Sequence, residues 1–225
     1  MSRKNECGKL TAAKITPQVI RGLYAITPNE HDTAELLRKV RYALLGGAQV
    51  LQYRNKTVDE PLRLEQARLL RVLTHEFSVP LIINDDALLA RQIDADGVHL
   101  GGADGSVTDA RKVLGDRKII GVSCYNRSDL ARAAVRDGAD YVAFGSFFHS
   151  MVKPDAVAAT PDLLRWARGE LAVPLVAIGG ITLQNGAQLL AEGAHALAVI
   201  SALFEAADIQ CAAQQFTNLN HLKTN

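Results

Sequence analysis

Gln52-Tyr53-Arg54-Asn55-Lys56 puts Gln52, Arg54 and Lys56 on one side of an extended segment, because side chains alternate along a strand, and two cations there suit an anion. Asn84-Asp85-Asp86 and Gly101-Gly102-Ala103-Asp104 add carboxylates. Magnesium takes one or two carboxylates and completes its shell with water and substrate phosphate oxygens, so Asp85 and Asp104 beside two basic residues suit a metal-bound diphosphate. Asp85 or Asp86 can instead cap the next helix, a duty assigned here to Asp86. Paired carboxylates also serve sugar hydrolysis, a chemistry with no use for Arg54 and Lys56.

Ser123, Ser150 and Lys153 are further donors suited to phosphate oxygens, and Lys153 on a mobile loop would reach a leaving group after closure. Ala177-Ile178-Gly179-Gly180-Ile181-Thr182 and Ile200-Ser201 bring glycine amides and a helix start together, which can cradle a phosphomonoester without a lysine. Each signal has a plain alternative: a solvated cation, a glycine turn, or, for His99, a histidine held by hydrogen bonds in the core rather than a proton shuttle. His149 is undecided between the two roles.

Placing these residues at one rim requires a repeated scaffold. Eight short apolar runs supply it: Leu23 to Thr27, Gln49 to Tyr53, Leu81 to Asn84, Gly97 to Leu100, Ile119 to Ser123, Tyr141 to Phe144, Leu175 to Ile178 and Ala196 to Ile200. They lack polar alternation, as strands buried on both faces do, and each is followed by a segment of helical period. Between Asp59 and Phe77, Leu62, Leu69, Leu70, Leu73 and Phe77 define one face, with Arg68 and Arg71 turned away. Thr57 and Glu60 have capping-box spacing there, and Thr160-Pro161 marks another helix start. Eight βα units without a linker predict an α/β fold, a single (β/α)8 TIM barrel over residues 21–225, with residues 1–20 as an N-terminal extension that reads as a helix at the lower mouth. Active sites of such barrels lie where the strands end, which is where the residues above fall. The connection from Gly145 to Ala159 is long enough to read as a lid.

Composition narrows the function. Of 225 residues, 48% are hydrophobic and 22% charged, and 25 basic against 24 acidic residues leave a net charge of +1, without the one-signed excess of a nucleic-acid footprint. No apolar run approaches the ~20 residues of a membrane span. Three scattered cysteines, Cys7, Cys124 and Cys211, fit neither a disulfide framework nor a zinc site, and Cys124 reads as a buried bystander. The expectation is a cytoplasmic protein acting on small molecules, with no nucleic acid and no membrane as partner and a homo-oligomer left open.

In order along the chain, Leu23-Tyr24-Ala25-Ile26-Thr27, Gln52-x-Arg54-x-Lys56, Ile83-Asn84-Asp85, Ala95-Asp96-Gly97-Val98-His99-Leu100-Gly101 with Asp104, Ile120-Gly121-Val122-Ser123, Phe144-Gly145-Ser146 with Lys153-Pro154, Ala177-Ile178-Gly179-Gly180-Ile181 and Val199-Ile200-Ser201-Ala202 resemble the thiamine phosphate synthase family. These are barrel enzymes that join the pyrimidine and thiazole halves of thiamine. The resemblance runs from Leu23 to about Phe204. It implies an Mg2+-dependent transferase that binds an aminopyrimidine diphosphate through the 52–56 segment, including Tyr53 and Asn55, and through Asn84, with Asp85 and Asp104 on magnesium. Ser123 and Lys153 would complete the diphosphate site; Arg54, Lys56, Ser123 and Lys153 would be the catalytic set. Ser150, Met151, Val152, Gly180, Ile200 and Ser201 would hold the thiazole phosphate.

The loop departs from the family's Thr-x-Thr-Lys, having Ser150-Met151-Val152-Lys153, and Val152 has no hydroxyl to offer. Gly102 replaces a glutamine common before the second aspartate. A thiazole tautomerase or a regulatory paralogue binding thiazole phosphate would need the phosphate cradle but not Arg54, Lys56, Asp85 and Asp104.

Overall fold

The computed structural model describes residues 20–102, 105–148 and 158–221. Strands and helices alternate from β1 (Gly22–Ile26) and α1 (Thr33–Leu45) through β2 (Val50–Tyr53), α2 (Glu60–Glu76), β3 (Leu81–Asn84), α3 (Ala87–Gln92), β4 (Gly97–Leu100) and α4 (Val107–Leu114). The second half continues with β5 (Ile119–Tyr125), α5 (Ser128–Arg136), β6 (Tyr141–Phe144), α6 (Pro161–Glu170), β7 (Leu175–Ile178), α7 (Gly186–Ala191) and β8 (Ala196–Val199). Helices α8 (Ser201–Phe204) and α9 (Ile209–His221) follow. All neighbouring strands pair in parallel and β8 closes on β1, so the sheet is a closed eight-stranded barrel.

Alternation along each strand sorts side chains into two cores. Outward residues such as Leu23, Leu51, Ile83, Val98, Val142 and Leu197 pack against the helices; inward ones, among them Tyr24, Val50, Ile82, Ile119, Tyr141, Val176 and Ala196, fill the barrel. Ile20, ahead of β1, is buried in the inner set. The predicted helix over the lower mouth and the rest of the 1–20 extension lie outside the described residues.

One local device recurs before the even-numbered strands. Gly47-Ala48-Gln49, Asp94-Ala95-Asp96, Gly138-Ala139-Asp140 and Gly193-Ala194-His195 each begin with a positive-φ residue. The alanine N–H then donates five residues back to Ala43, Ala90, Ala134 and Leu189 respectively, closing the helix end in a Schellman-type turn. The alanine is buried and the polar residue stands at the barrel's lower end.

Two local expectations are corrected. Asp59, not Thr57, caps α2, its carboxylate accepting the Leu62 N–H at 3.0 Å, while Thr57 Oγ1 donates to Asn55 Oδ1. Leu69 is 39% exposed, because Gln66, Ala67, Leu70, Leu73 and Thr74 centre the buried face about 100° away from it. Arg71, turned away from the leucine side, reaches the Asp94 carbonyl at 2.9 Å and Asp96 at 3.5 Å. Strand bounds agree within two residues; β5 runs on to Tyr125, and Ile200 leaves β8 to precede α8. Asp86 caps α3 as expected, accepting from Leu89 N–H at 2.8 Å.

Candidate active site

Most of the anticipated residues the structure describes stand at the carboxyl ends of β2, β3 and β5. Gln52 points inward and is 3% exposed, donating from Nε2 to the Tyr24 hydroxyl at 2.9 Å. Arg54 is half-buried one pleat higher, and its backbone is fixed to the end of β1: its N–H donates to Thr27 Oγ1 at 2.8 Å, and that hydroxyl donates to its carbonyl at 3.0 Å. Lys56, another pleat along, is exposed and reaches Asp85 Oδ2 at 3.1 Å.

Tyr53 and Asn55 have the opposite parity. The Tyr53 hydroxyl donates to Gln66 Oε1 at 2.8 Å, and Asn55 Nδ2 donates to the Glu30 carbonyl at 2.7 Å and to the same Gln66 oxygen at 3.1 Å. Both are buried, and they tie the end of β2 to α2 and to the loop after β1. Burial pushes the Tyr53 phenol well above its ordinary range, so it stays a neutral donor.

Asn84 ends β3, and Asp85 follows it with φ of +65°, a left-handed conformation that carboxamide and carboxylate residues tolerate better than most. The Asp85 N–H is anchored on the His99 carbonyl at 2.8 Å, so the turn is held from the next strand and the carboxylate is left facing Lys56. Beside this pair opens a cavity of about 620 Å³, with Lys56, Asn84, Asp85, Ser106 and Asp109 at its edge and Ile83, Leu89, Leu100 and Ala110 deeper in. It lies to one side of the barrel mouth, over the β3 and β4 end.

His99 has the role expected for it over that of a proton shuttle, a histidine held by hydrogen bonds in the core. It lies inside the barrel, 7% exposed, with Nε2 at 2.8 Å from Ser123 Oγ and Nδ1 at 2.9 Å from the Tyr141 hydroxyl. Tyr24 and Tyr141 meet at 2.7 Å between their oxygens. Sequence reasoning does not pick out these two tyrosines; the available signal is a phenol standing at an inward position of an otherwise aliphatic run. Burial raises both phenols far above their usual range.

Across the mouth, Gly179 and Gly180 have φ of +101° and +61°, and Asn185 Nδ2 braces the turn through the Gly180 carbonyl at 3.0 Å. Ile200 and Ser201 stand half-buried at the start of α8. The base of the long connection is pinned here: Phe147 N–H donates to Ile178 carbonyl at 3.2 Å, Phe148 N–H to Gly179 carbonyl at 3.1 Å, and Ala159 N–H to Ser146 carbonyl at 2.8 Å. Asp104, His149, Ser150, Met151, Val152 and Lys153 lie outside the described residues. Among the described residues no group of three or more His, Cys, Asp or Glu is placed to hold a metal ion, and no helix is long and apolar enough to cross a membrane.

A closed parallel barrel of eight βα units, with cations, a carboxylate and a hydroxyl at its strand ends, places the chain in the (β/α)8 class, whose active sites lie at this end. Residues 23–203 match the family described as thiamine monophosphate synthase, and the chain belongs to that family. It is 50% identical over 216 residues, 96% of this chain and 92% of the other, to the thiamine-phosphate synthase of Nitrosospira multiformis. It is 55% identical over 200 residues, 89% and 95% of the two chains, to that of Methylobacillus flagellatus. The solved thiamine phosphate pyrophosphorylase of Pyrococcus furiosus superposes with a TM-score of 0.82 at 32% identity, over 93% of this chain and 99% of its own.

Proposed function

We propose that this transferase joins 4-amino-2-methyl-5-(diphosphooxymethyl)pyrimidine to 4-methyl-5-(2-phosphooxyethyl)thiazole, releasing thiamine phosphate and diphosphate. The C–O bond between the pyrimidine's exocyclic methylene and the diphosphate breaks, and the thiazole nitrogen lone pair forms the new C–N bond. The ring nitrogen is already nucleophilic, so the protein's task is to stabilise departing negative charge in a partly dry site.

The observation that carries this reading is the Lys56–Asp85 pair at 3.1 Å, set beside Asn84 and one pleat beyond Arg54. Lys56 and Arg54 would take diphosphate oxygens, Ser123 would donate to them from β5, and Lys153 would join from the loop. Gln52 and Asn84, at the tops of β2 and β3, would hold the aminopyrimidine; Tyr53 and Asn55 would set the backbone of the 52–56 segment through Gln66. Gly180, Ile200 and Ser201, with the 150–152 segment, would bind the thiazole phosphate.

Asp85 fits magnesium: its carboxylate is 24% exposed, offers hard oxygen donors, and its side-chain partner among the described residues is an exposed lysine. Asp85 and Asp104 would hold the ion, which when bound supplies charge neutralisation for the leaving diphosphate. Reduced thiols and small-molecule substrates suit a cytoplasmic setting. Purified protein given both substrate halves should form thiamine phosphate, and only with magnesium present. Absence of product across a range of metals and pH would sink the reading, whereas binding of thiazole phosphate without turnover would point to a regulatory protein.

A further inference from the structure

Five polar side chains cross the barrel interior in one unbroken chain: Gln52 Nε2 to Tyr24 Oη at 2.9 Å, Tyr24 Oη to Tyr141 Oη at 2.7 Å, Tyr141 Oη to His99 Nδ1 at 2.9 Å, and His99 Nε2 to Ser123 Oγ at 2.8 Å. Its two ends are residues of the two parts of the proposed site, the aminopyrimidine end at β2 and the diphosphate end at β5. The three middle groups are buried, where an unpaired donor is costly, so each hydroxyl proton must find an acceptor. Gln52 donates to the Tyr24 oxygen, which leaves the Tyr24 proton for Tyr141 and the Tyr141 proton for His99 Nδ1. His99 then carries its proton on Nε2 and donates it to Ser123 Oγ, and the serine's own proton is turned away from the histidine.

Packing enforces the same line. Tyr141 stacks on His99 with ring centroids 5.5 Å apart and planes at 23°. Gly121, the β5 partner of Tyr141 in register, carries no side chain, and a Cβ there would overlap the Tyr141 ring and hydroxyl.

We propose that Tyr24, Tyr141 and His99 are positioning residues: they fix the His99 tautomer and thereby present the Ser123 hydroxyl as a hydrogen-bond donor toward the leaving diphosphate. The proposal rests on the placement of Ser123 at the diphosphate described above. In synthesis assays at saturating substrates, Tyr141→Phe should lower kcat about tenfold, with KM for either substrate changed less than about threefold, since one correctly aimed hydrogen bond is lost from the transition state only. Tyr24→Phe, one link earlier, should have a smaller effect of the same kind. In a Ser123→Ala background, Tyr141→Phe should cost nothing further. Independent, multiplying losses in the double variant, or a wild-type kcat for Tyr141→Phe, would overturn the proposal.

A second measurement reads the tautomer in the wild-type protein itself. Histidine 15N spectra of the wild-type protein, with the His99 signals assigned by their loss in His99→Gln, should show the proton on Nε2. A proton on Nδ1 would mean that Gln52 is turned over and the chain runs the other way, with Ser123 donating to His99, and would overturn the proposal. Wild-type protein unable to make thiamine phosphate would instead remove the reading of the substrates, while the tautomer would still decide the direction of the chain.

Discussion

Carboxylates stand at both ends of this barrel, and they are held in opposite ways. At the end where strands begin, Asp96 Oδ2 accepts the Leu81 N–H at 2.8 Å and lies 3.5 Å from Arg71, and Asp140 Oδ2 accepts the Ile120 N–H at 2.9 Å and the Arg111 guanidinium at 2.7 Å. His195 repeats the arrangement with a ring nitrogen, Nδ1 taking the Leu175 N–H at 3.0 Å. The residue before an even strand thus satisfies an amide at the start of the preceding odd strand three times. At the end where strands finish, Asp85 pairs with Lys56, whose side chain is 54% exposed, and its backbone is held left-handed. A carboxylate saturated by a strand amide and a guanidinium secures the fold; one facing a flexible cation can exchange that partner for a ligand.

The largest expected effect breaks the comparison at the upper rim. Asp85→Asn should lower turnover by ~10²–10³, as removal of one transition-state charge partner does, while the thermal midpoint stays within a few degrees of wild type. Equal loss of activity and folding would make Asp85 a structural residue. At the lower end the split should invert. Asp140→Ala leaves the Ile120 amide and the Arg111 guanidinium without this acceptor, and urea unfolding should show a loss of about 2–3 kcal/mol with near wild-type turnover per folded molecule. Asp96→Ala should cost less, about 1–2 kcal/mol in the same measurement, because its arginine is more distant.

The two ends differ as much in legibility. Eight buried strands read clearly because uninterrupted apolar runs between helical periods leave few alternatives, and the order of residues at their upper ends followed from that count. Ile200 reads as strand because it is apolar, yet the chain turns there to start α8. Thr57 has the right spacing for a cap, but Asp59 stands next to the first helical residue and its carboxylate reaches an amide directly. The Tyr24–Tyr141 contact joins residues 117 apart, and only the closure of the sheet brings them together. Nor does spacing show which of Asp85 and Asp96 would be tied to backbone; that depends on which strand end each one occupies.

Position at the upper end is not sufficient for a functional role, and Cys124 makes that distinction measurable. It follows Ser123 in β5, but the alternation that turns Ser123 into the barrel mouth turns Cys124 outward, where it is fully buried in the outer core and its sulfur lies 3.6 Å from the Val122 carbonyl. Burial, with Asp129 adding to it, pushes the thiol up to about 12, so the thiolate is almost absent near neutrality. Cys211 is exposed on α9. A thiol alkylating agent at about pH 8 should therefore modify Cys211 in the folded protein, leave Cys124 intact and spare the activity, with peptide mass mapping as the readout. Rapid native labelling of Cys124 would mean that β5 opens at its upper end. Ser123 would then lack the rigid strand it needs, and the contrast between a fixed lower end and an adaptable upper one would extend into the strands themselves.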